Sequence, residues 1–336
     1  MKLIRHFPRL LTSLLLALAV AVPAHAEPGL LNASYDVARD VYKDYNPMFQ
    51  KYWKAKTGEN IDIRQSHGGS SKQVRAVADG LDADVVTMNQ ATDIEFLADK
   101  GLVAKDWAKR FPNGASPYTS TMVFIVRKGN PKGLKDWADL VRPGLQVILP
   151  HPKNTGNGRY SYLAAYGYAL KQPGGNDARA RQFVSTFLKN APLFAAGGRD
   201  ATTTFMQRGI GDVLVSFESE AELIAREFGR GNFEVVYPSL SILAEFPVAL
   251  IEPVVDKKST RKQAAAYLSY LWSKEGQENA AQNYLRPRDA ELLKKYAAQF
   301  PPIKTFSVDE VFGGWSKAAA THFRDGGSFD QIYQSR

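Results

Sequence analysis

The sequence predicts an α/β protein of two lobes joined by two crossings, and three observations lead there. Strands and helix starts alternate from Leu30 to the helix opening at Thr92, and again from Gly133 to Tyr237. That alternation is the signature of parallel sheets covered by helices. Two stretches interrupt it, Phe111 to Val126 and Pro238 to Pro247, and each reads as a passage between lobes. A chain of 336 residues also suits two domains better than one.

In chain order, Leu30 to Tyr35 reads as the first strand. A helical pattern follows Asp36 and restarts at Asn46-Pro47, where proline suits a first helical turn. Ile61 to Gln65 alternates as a second strand. Gly68-Gly69-Ser70 then opens a helix, with Ser70 to Gln73 in the S-x-x-Q form of a capping box. Asp84 to Met88 is a third strand, and Thr92 to Glu95 a second capping box. The β-rich run Tyr118 to Val126 is long for one strand. Beyond it, strands are expected at 147–150, 193–196, 213–217 and 233–237, and helices at 158–171, 176–190, 201–208 and 219–228. Val248 to Val255 returns to the first lobe, and helices at 259–284 and 309–323 complete the pattern. The expected boundaries are 27–118 with 246–336 for a discontinuous first lobe and 119–245 for the second, the pattern not fixing where the C-terminal tail lies.

Residues 1–26 read as a secretory signal peptide. Lys2, Arg5 and Arg9 precede an apolar run from Leu10 to Val22, and Ala24-His25-Ala26 is a cleavage site, so the mature chain is expected to begin at Glu27. No later stretch is long and apolar enough to span a bilayer. A soluble protein of a bacterial periplasm is expected. Its net charge of +9 falls to +6 with the three cations of that segment. Export argues against nucleic acid as a partner, and Lys and Arg are spread along helices, so the charge reads as a solvated surface with modest attraction for anions. The absence of cysteine excludes disulfides, thiolate metal ligands and thiol catalysis.

Four turns share one character: Tyr35-Asp36, Gly68-Gly69-Ser70-Ser71, Thr155-Gly156-Asn157 and Gly197-Gly198-Arg199. Each leads from a strand to a helix start through small or capping residues. The first N–H groups of a helix have no intrahelical partner and carry the positive end of its dipole. Small residues let an anion approach them. In open α/β sheets such turns lie at the carboxyl ends of the strands, where ligands bind. Two come from each expected lobe, an arrangement suited to capture by closure of a cleft.

Enzymatic signals are weak. His67, His151 and His322 follow the signal peptide without H-E-x-x-H or comparable spacing; the Gly-Gly-Ser-Ser-Lys segment ending at Lys72 lacks phosphate-loop spacing; and no G-x-S-x-G elbow is present. Neither metal nor cofactor is expected.

The segments Ser34-Tyr35-Asp36, Gln65-Ser66-His67-Gly68-Gly69-Ser70, Val126-Arg127-Lys128-Gly129-Asn130-Pro131-Lys132, Arg208-Gly209-Ile210-Gly211-Asp212-Val213-Leu214 and Val311-Phe312-Gly313-Gly314-Trp315 resemble the periplasmic sulfate- and thiosulfate-binding proteins of ABC importers. The resemblance runs from residue 31 to the C-terminus. It implies the two-lobed periplasmic-binding-protein fold (type II) with two crossovers forming a hinge. It also implies a monomer that delivers thiosulfate or sulfate to the membrane permease subunits of an ABC importer for sulfur assimilation. The implied ligand donors are the backbone N–H groups of Asp36, Ser70, Gly156, Asn157 and Gly198 with the hydroxyl of Thr155, no cationic side chain touching the dianion. The Asp36 carboxylate is expected to cap its own helix. Ser71, Arg159 and Arg199 are expected to brace the turns without touching ligand. A site made of donors alone rejects a protonated phosphate, whose O–H would go unpaired at a cost of about 1–3 kcal/mol.

Phe217 stands where sulfate-binding members carry Trp, which removes an N–H donor and leaves an aromatic edge that tolerates the terminal sulfur of thiosulfate. Asn89-Gln90-Ala91-Thr92-Asp93, Gly197-Gly198-Arg199, Phe217-Glu218-Ser219-Glu220 and Ala244-Glu245-Phe246-Pro247-Val248 resemble the thiosulfate-binding branch. The sequence departs from the family at His151-Pro152-Lys153, where Asn-Pro-Lys is usual, at Asn154 and Thr155 for Ser-type residues, and at Gly158 for Ala. Other readings are a binder of another tetrahedral oxyanion, molybdate or phosphate, or an exported enzyme on the same scaffold.

Overall fold

The computed structural model describes residues 29–334, so the signal peptide and the start at Glu27 lie outside the described residues. Among these, the strands are β1 (Gly29–Tyr35), β2 (Asp62–Gly68), β3 (Val85–Thr87), β4 (Tyr118–Arg127), β5 (Val147–Pro150), β6 (Phe194–Ala195), β7 (Val213–Phe217), β8 (Phe233–Val236), β9 (Ser241–Glu245), β10 (Val248–Leu250), β11 (Arg286–Pro287) and β12 (Thr305–Phe306). They form two sheets. One has the order β10-β3-β1-β2, with β1, β2 and β3 parallel and β10 antiparallel. The other has the order β12-β9-β4-β7-β5-β6, with β8 and β11 also pairing β4. Its β5, β6 and β7 are parallel.

The long run after Pro117 is a single ten-residue strand because its partners change along its length. Tyr118 and Thr119 pair β11, Thr119 to Thr121 pair β9, and residues from Met122 on pair β7 and β8. Each partner stays short while β4 runs past them all.

Three helices differ from expectation, each for a packing reason. The helix Arg39–Thr57 runs through Pro47 without the expected restart. Tyr42, Tyr45, Phe49 and Trp53 recur at helical spacing and are all buried, and that stripe holds the helix together despite the missing N–H. The rings of Tyr45 and Phe49 each meet Tyr267 edge-on at 5.2 Å. The expected helix at 259–284 is two, Arg261–Tyr270 and Lys274–Gln282, because Ser273 caps a new start by accepting the Gly276 N–H at 3.0 Å. The expected helix at 309–323 is interrupted at Gly313 and Gly314, whose φ values of 71° and 98° are left-handed.

The helix Gly156–Leu170 is buried on every side from Gly156 to Ala169 except at Arg159. A helix apolar all round needs cover all round. The second sheet and the helix Asp177–Lys189 supply part of it, and the C-terminal segment supplies the rest. The Phe306 ring lies 2.2 Å from where a Cβ on Gly167 would stand, and the rings of Trp315 and Phe323 lie 4.9 Å from Tyr160 and 5.3 Å from Tyr162. Residues from Thr305 on therefore pack with the second sheet, reached by a third passage at β11. Two-residue strands such as β11 and β12 leave no periodic trace in the sequence.

One buried polar cluster fixes the start of β3. Asp84 is fully buried and accepts the Leu31 N–H at 2.7 Å, the Lys258 ammonium and the Thr260 hydroxyl. It joins the first sheet to the segment that follows the helix Glu252–Lys257.

Candidate functional site

Each of the four turns delivers a helix start after the carboxyl end of a parallel strand. Asp36 opens a short 3₁₀ turn after β1, Ser70 the helix Ser70–Ala78 after β2, Gly156 the helix Gly156–Leu170 after β5, and Gly198 the helix Gly198–Met206 after β6. A fifth start, Glu218, follows Phe217 at the end of β7.

The expected caps are used otherwise. The Ser70 hydroxyl donates to Asp93 Oδ2 and the Ser71 hydroxyl to Asp93 Oδ1 at 3.3 Å. Gln73 accepts from Ser66 at 3.0 Å instead of closing a capping box. The helix Ala91–Asp99 begins one residue before Thr92, without a side-chain cap. A buried carboxyl outcompetes the local partners, since leaving it unpaired costs more than leaving a helix end to its backbone. Burial raises the Asp93 pKa, while hydrogen bonds from Ser70 and Gln90, the Arg159 charge and the Ser71 hydroxyl oppose the shift. Asp36 does not cap its helix either: its carboxylate faces Arg39 at 3.4 Å.

The two sheets meet at Asn89, a residue the sequence reading did not assign to the site. It follows β3 and lies against Gly156: a Cβ on Gly156 would stand 2.1 Å from Asn89 Oδ1. That oxygen is buried and has no hydrogen-bond partner among the described residues. The Asn89 N–H reaches Ser70 Oγ at 3.5 Å, so the contact joins the Ser70 and Gly156 helix starts. Next in the chain, Asn157 is buried and donates to Ser216 Oγ at 2.9 Å. Its Nδ2 lies 3.5 Å, and Glu220 Oε1 3.1 Å, from where a Cβ on Gly198 would stand. Glu220 in turn lines a cavity of about 350 Å³ with Asp36, Arg39 and Arg199. A continuous set of neighbours therefore runs from Ser70 through Asn89, Gly156 and Asn157 to Gly198 and Glu220, which shares its cavity with Asp36.

Thr155 differs from its expected role. Its hydroxyl accepts the Gly158 N–H at 3.0 Å and donates to the His151 carbonyl at 3.0 Å, which commits it to the N-cap. Thr155→Ala is expected to lower stability by about 1 kcal/mol in chemical denaturation; an unchanged midpoint would remove the cap from this account. Gly158 is held tightly by its own turn, since a Cβ there would meet the Pro150 and His151 carbonyl oxygens at 2.5 Å.

Phe217 is fully buried, edge-on to Tyr160 and to Phe246 at 5.5 Å each, and Phe246 stacks on Tyr35 at 5.4 Å. The ring belongs to an aromatic floor that spans both sheets. Arg159 reaches across the cleft. Its guanidinium donates to the Lys153 carbonyl at 3.0 Å in its own turn and to Thr92 Oγ1 at 3.5 Å beside the first sheet. Arg199 pairs with Glu227 at 3.0 Å while lining the cavity.

Glu220 also faces this cavity, and no local pattern in the sequence marks it. It is 2% exposed, and Oε1 has no hydrogen-bond partner among the described residues. Burial, then the nearby Asp36 charge, pushes its carboxyl up to about 8, with Arg199 and Thr202 pulling the other way. At neutral pH it is therefore mostly the neutral acid, which has an O–H to donate. Among the described residues no group of three or more His, Cys, Asp or Glu is placed to hold a metal ion, and no helix is long and apolar enough to cross a membrane.

The chain is similar to known proteins along nearly its whole length. Residues 34–286 match the family described as bacterial extracellular solute-binding protein. The chain is 63% identical over 328 residues to a thiosulfate-binding protein of Pseudomonas aeruginosa, covering 97% of this chain and 98% of the relative. It is 54% identical over 303 residues to the sulfate-binding protein of Escherichia coli, covering 90% and 92%. The sulfate-binding protein SubI of Mycobacterium tuberculosis superposes with a TM-score of 0.79 at 31% identity, covering 87% of this chain and 98% of that one.

Proposed function

Since the chain belongs to the bacterial extracellular solute-binding proteins, we propose that it captures thiosulfate, and sulfate beside it, in the periplasm. It hands the anion to the permease subunits of an ABC importer for sulfur assimilation, and it acts as a binding protein, not an enzyme. The observation that carries this reading is the meeting of helix starts from both sheets at Asn89 and Gly156, beside buried polar atoms that have no partner among the described residues. The backbone N–H groups of Asp36, Ser70, Gly156, Asn157 and Gly198 supply fixed donors. Hydrogen bonds to an ionised acceptor are roughly twice as strong as neutral ones, so several together hold a desolvated dianion. The Thr155 hydroxyl serves by holding the Gly156 turn in shape. Thiosulfate is placed ahead of sulfate because Phe217 offers an apolar ring where a donor would favour oxygen, in accord with the 63% identity to a thiosulfate-binding protein. Binding energy goes into closing one lobe on the other, and the closed form is what the importer reads.

Titration calorimetry with thiosulfate, sulfate, phosphate and molybdate tests this. Saturable binding of thiosulfate and sulfate is expected, with phosphate and molybdate far weaker. Tight phosphate binding without a response to either sulfur anion would overturn the reading.

A further inference from the structure

We propose that Glu220 contacts the captured anion as a neutral carboxylic acid, donating its O–H, so that capture of the dianion is linked to protonation of this side chain. The inference rests on the anion-binding reading above and adds a residue and a proton to it.

The geometry has three parts. Glu220 sits beside the start of the Gly198–Met206 helix, its Oε1 3.1 Å from where a Cβ on Gly198 would stand. The residue is 2% exposed, yet Oε1 makes no hydrogen bond among the described residues, and the Thr202 hydroxyl beside it is likewise unpaired. It also faces the cavity between the lobes. A buried carboxyl oxygen is normally satisfied, and an orphan one aimed at a helix start points to a missing partner. An ionised Glu220 would repel a dianion at that point.

The charged and titratable groups around it are few. Asp36 faces it from the segment after β1, with Arg39 and Asp40 farther along the cavity wall. Arg199 faces it from the Gly198 helix, and the buried Tyr35 phenol lies within its electrostatic reach. Glu218, on its own helix, is turned away to Arg286 at 2.7 Å. Asp36 disfavours a second negative charge, and Arg199 is held partly by Glu227.

The sign follows from linkage. If the anion binds only the protonated form, affinity is full while Glu220 holds its proton and falls as the pH rises through its ligand-free pKa of about 8. Thiosulfate carries no proton from about pH 6 to about pH 9.5, so a proton taken up in that range belongs to the protein.

The test is calorimetric titration of the protein with sodium thiosulfate in buffers of different ionisation enthalpy, across that range, for the wild type and Glu220→Gln. The wild type is expected to take up about half a proton at about pH 8 and to lose affinity about tenfold per pH unit above it. Glu220→Gln, whose amide donates N–H at every pH, is expected to take up none and to give a flat profile. Binding without proton uptake, or an equal slope in both proteins, would overturn the role of Glu220 while leaving anion capture standing. No binding of thiosulfate or sulfate at about pH 6 would overturn the functional reading, and this inference with it.

Discussion

Gly156→Ala is expected to weaken thiosulfate binding about 100-fold, with little change in the stability of the ligand-free protein. The new methyl group would stand 2.1 Å from Asn89 Oδ1 and 2.7 Å from its Cγ. Asn89 is 5% exposed, so its amide has little room to withdraw while the two sheets stay in contact. Overpacking of this kind costs about 1–3 kcal/mol, and each 1.4 kcal/mol or so is tenfold in affinity. The clash is between lobes, so an open form escapes it, and alanine at a helix start does not harm the helix itself. Calorimetry and thermal unfolding separate the two effects. Asn89→Ala in the same chain should recover part of the lost affinity. Wild-type affinity in Gly156→Ala would show that the two residues do not meet when the anion is held.

Asp84→Ala is expected to lower stability by about 3–5 kcal/mol, read as a shift in the urea midpoint at constant slope. The substitution leaves the Leu31 N–H and the Thr260 hydroxyl without their acceptor and Lys258, 20% exposed, without its counter-charge. Breaking one side of such a buried pair is costlier than removing both. The double substitution Asp84→Ala with Lys258→Met should therefore recover part of the loss. A shift below about 1 kcal/mol would mean that water satisfies these groups and that the cluster does not hold β3 in place. Since β3 leads directly to Asn89, the same change loosens the first sheet's side of the cleft.

Much of the candidate site was legible because helix starts announce themselves locally. Glycine at 69, 156, 197 and 198, and Thr155 as a cap, mark backbone turns whose position depends on neighbours in sequence. Side-chain partners do not announce themselves. Ser70 and Gln73 have the spacing of a capping box, but Ser70 bonds Asp93, 23 positions away, and Gln73 bonds Ser66. Asp36 resembled a cap and turned to Arg39. Asn89 and Glu220 lay inside segments that resembled the thiosulfate-binding branch, yet only the packing of the folded chain reveals that an oxygen of each is buried without a partner among the described residues. The fold divides in the same way. Alternation gave the parallel strands of both sheets, whereas Pro47 inside a helix and the third passage at β11 are decided by contacts far apart in the chain.

The C-terminal cover of the Gly156 helix has a consequence for the order of folding. Tyr162 meets His322 at 3.2 Å across 160 positions of sequence. Until the segment from Thr305 on has been synthesised, the most deeply buried helix of the second sheet lacks one of its walls, and the first sheet lacks β10 and the helices after it for much of the same time. Neither half can close its core early. Contacts of such long range slow folding, and the second sheet's core is complete only when the segment from Thr305 on is in place.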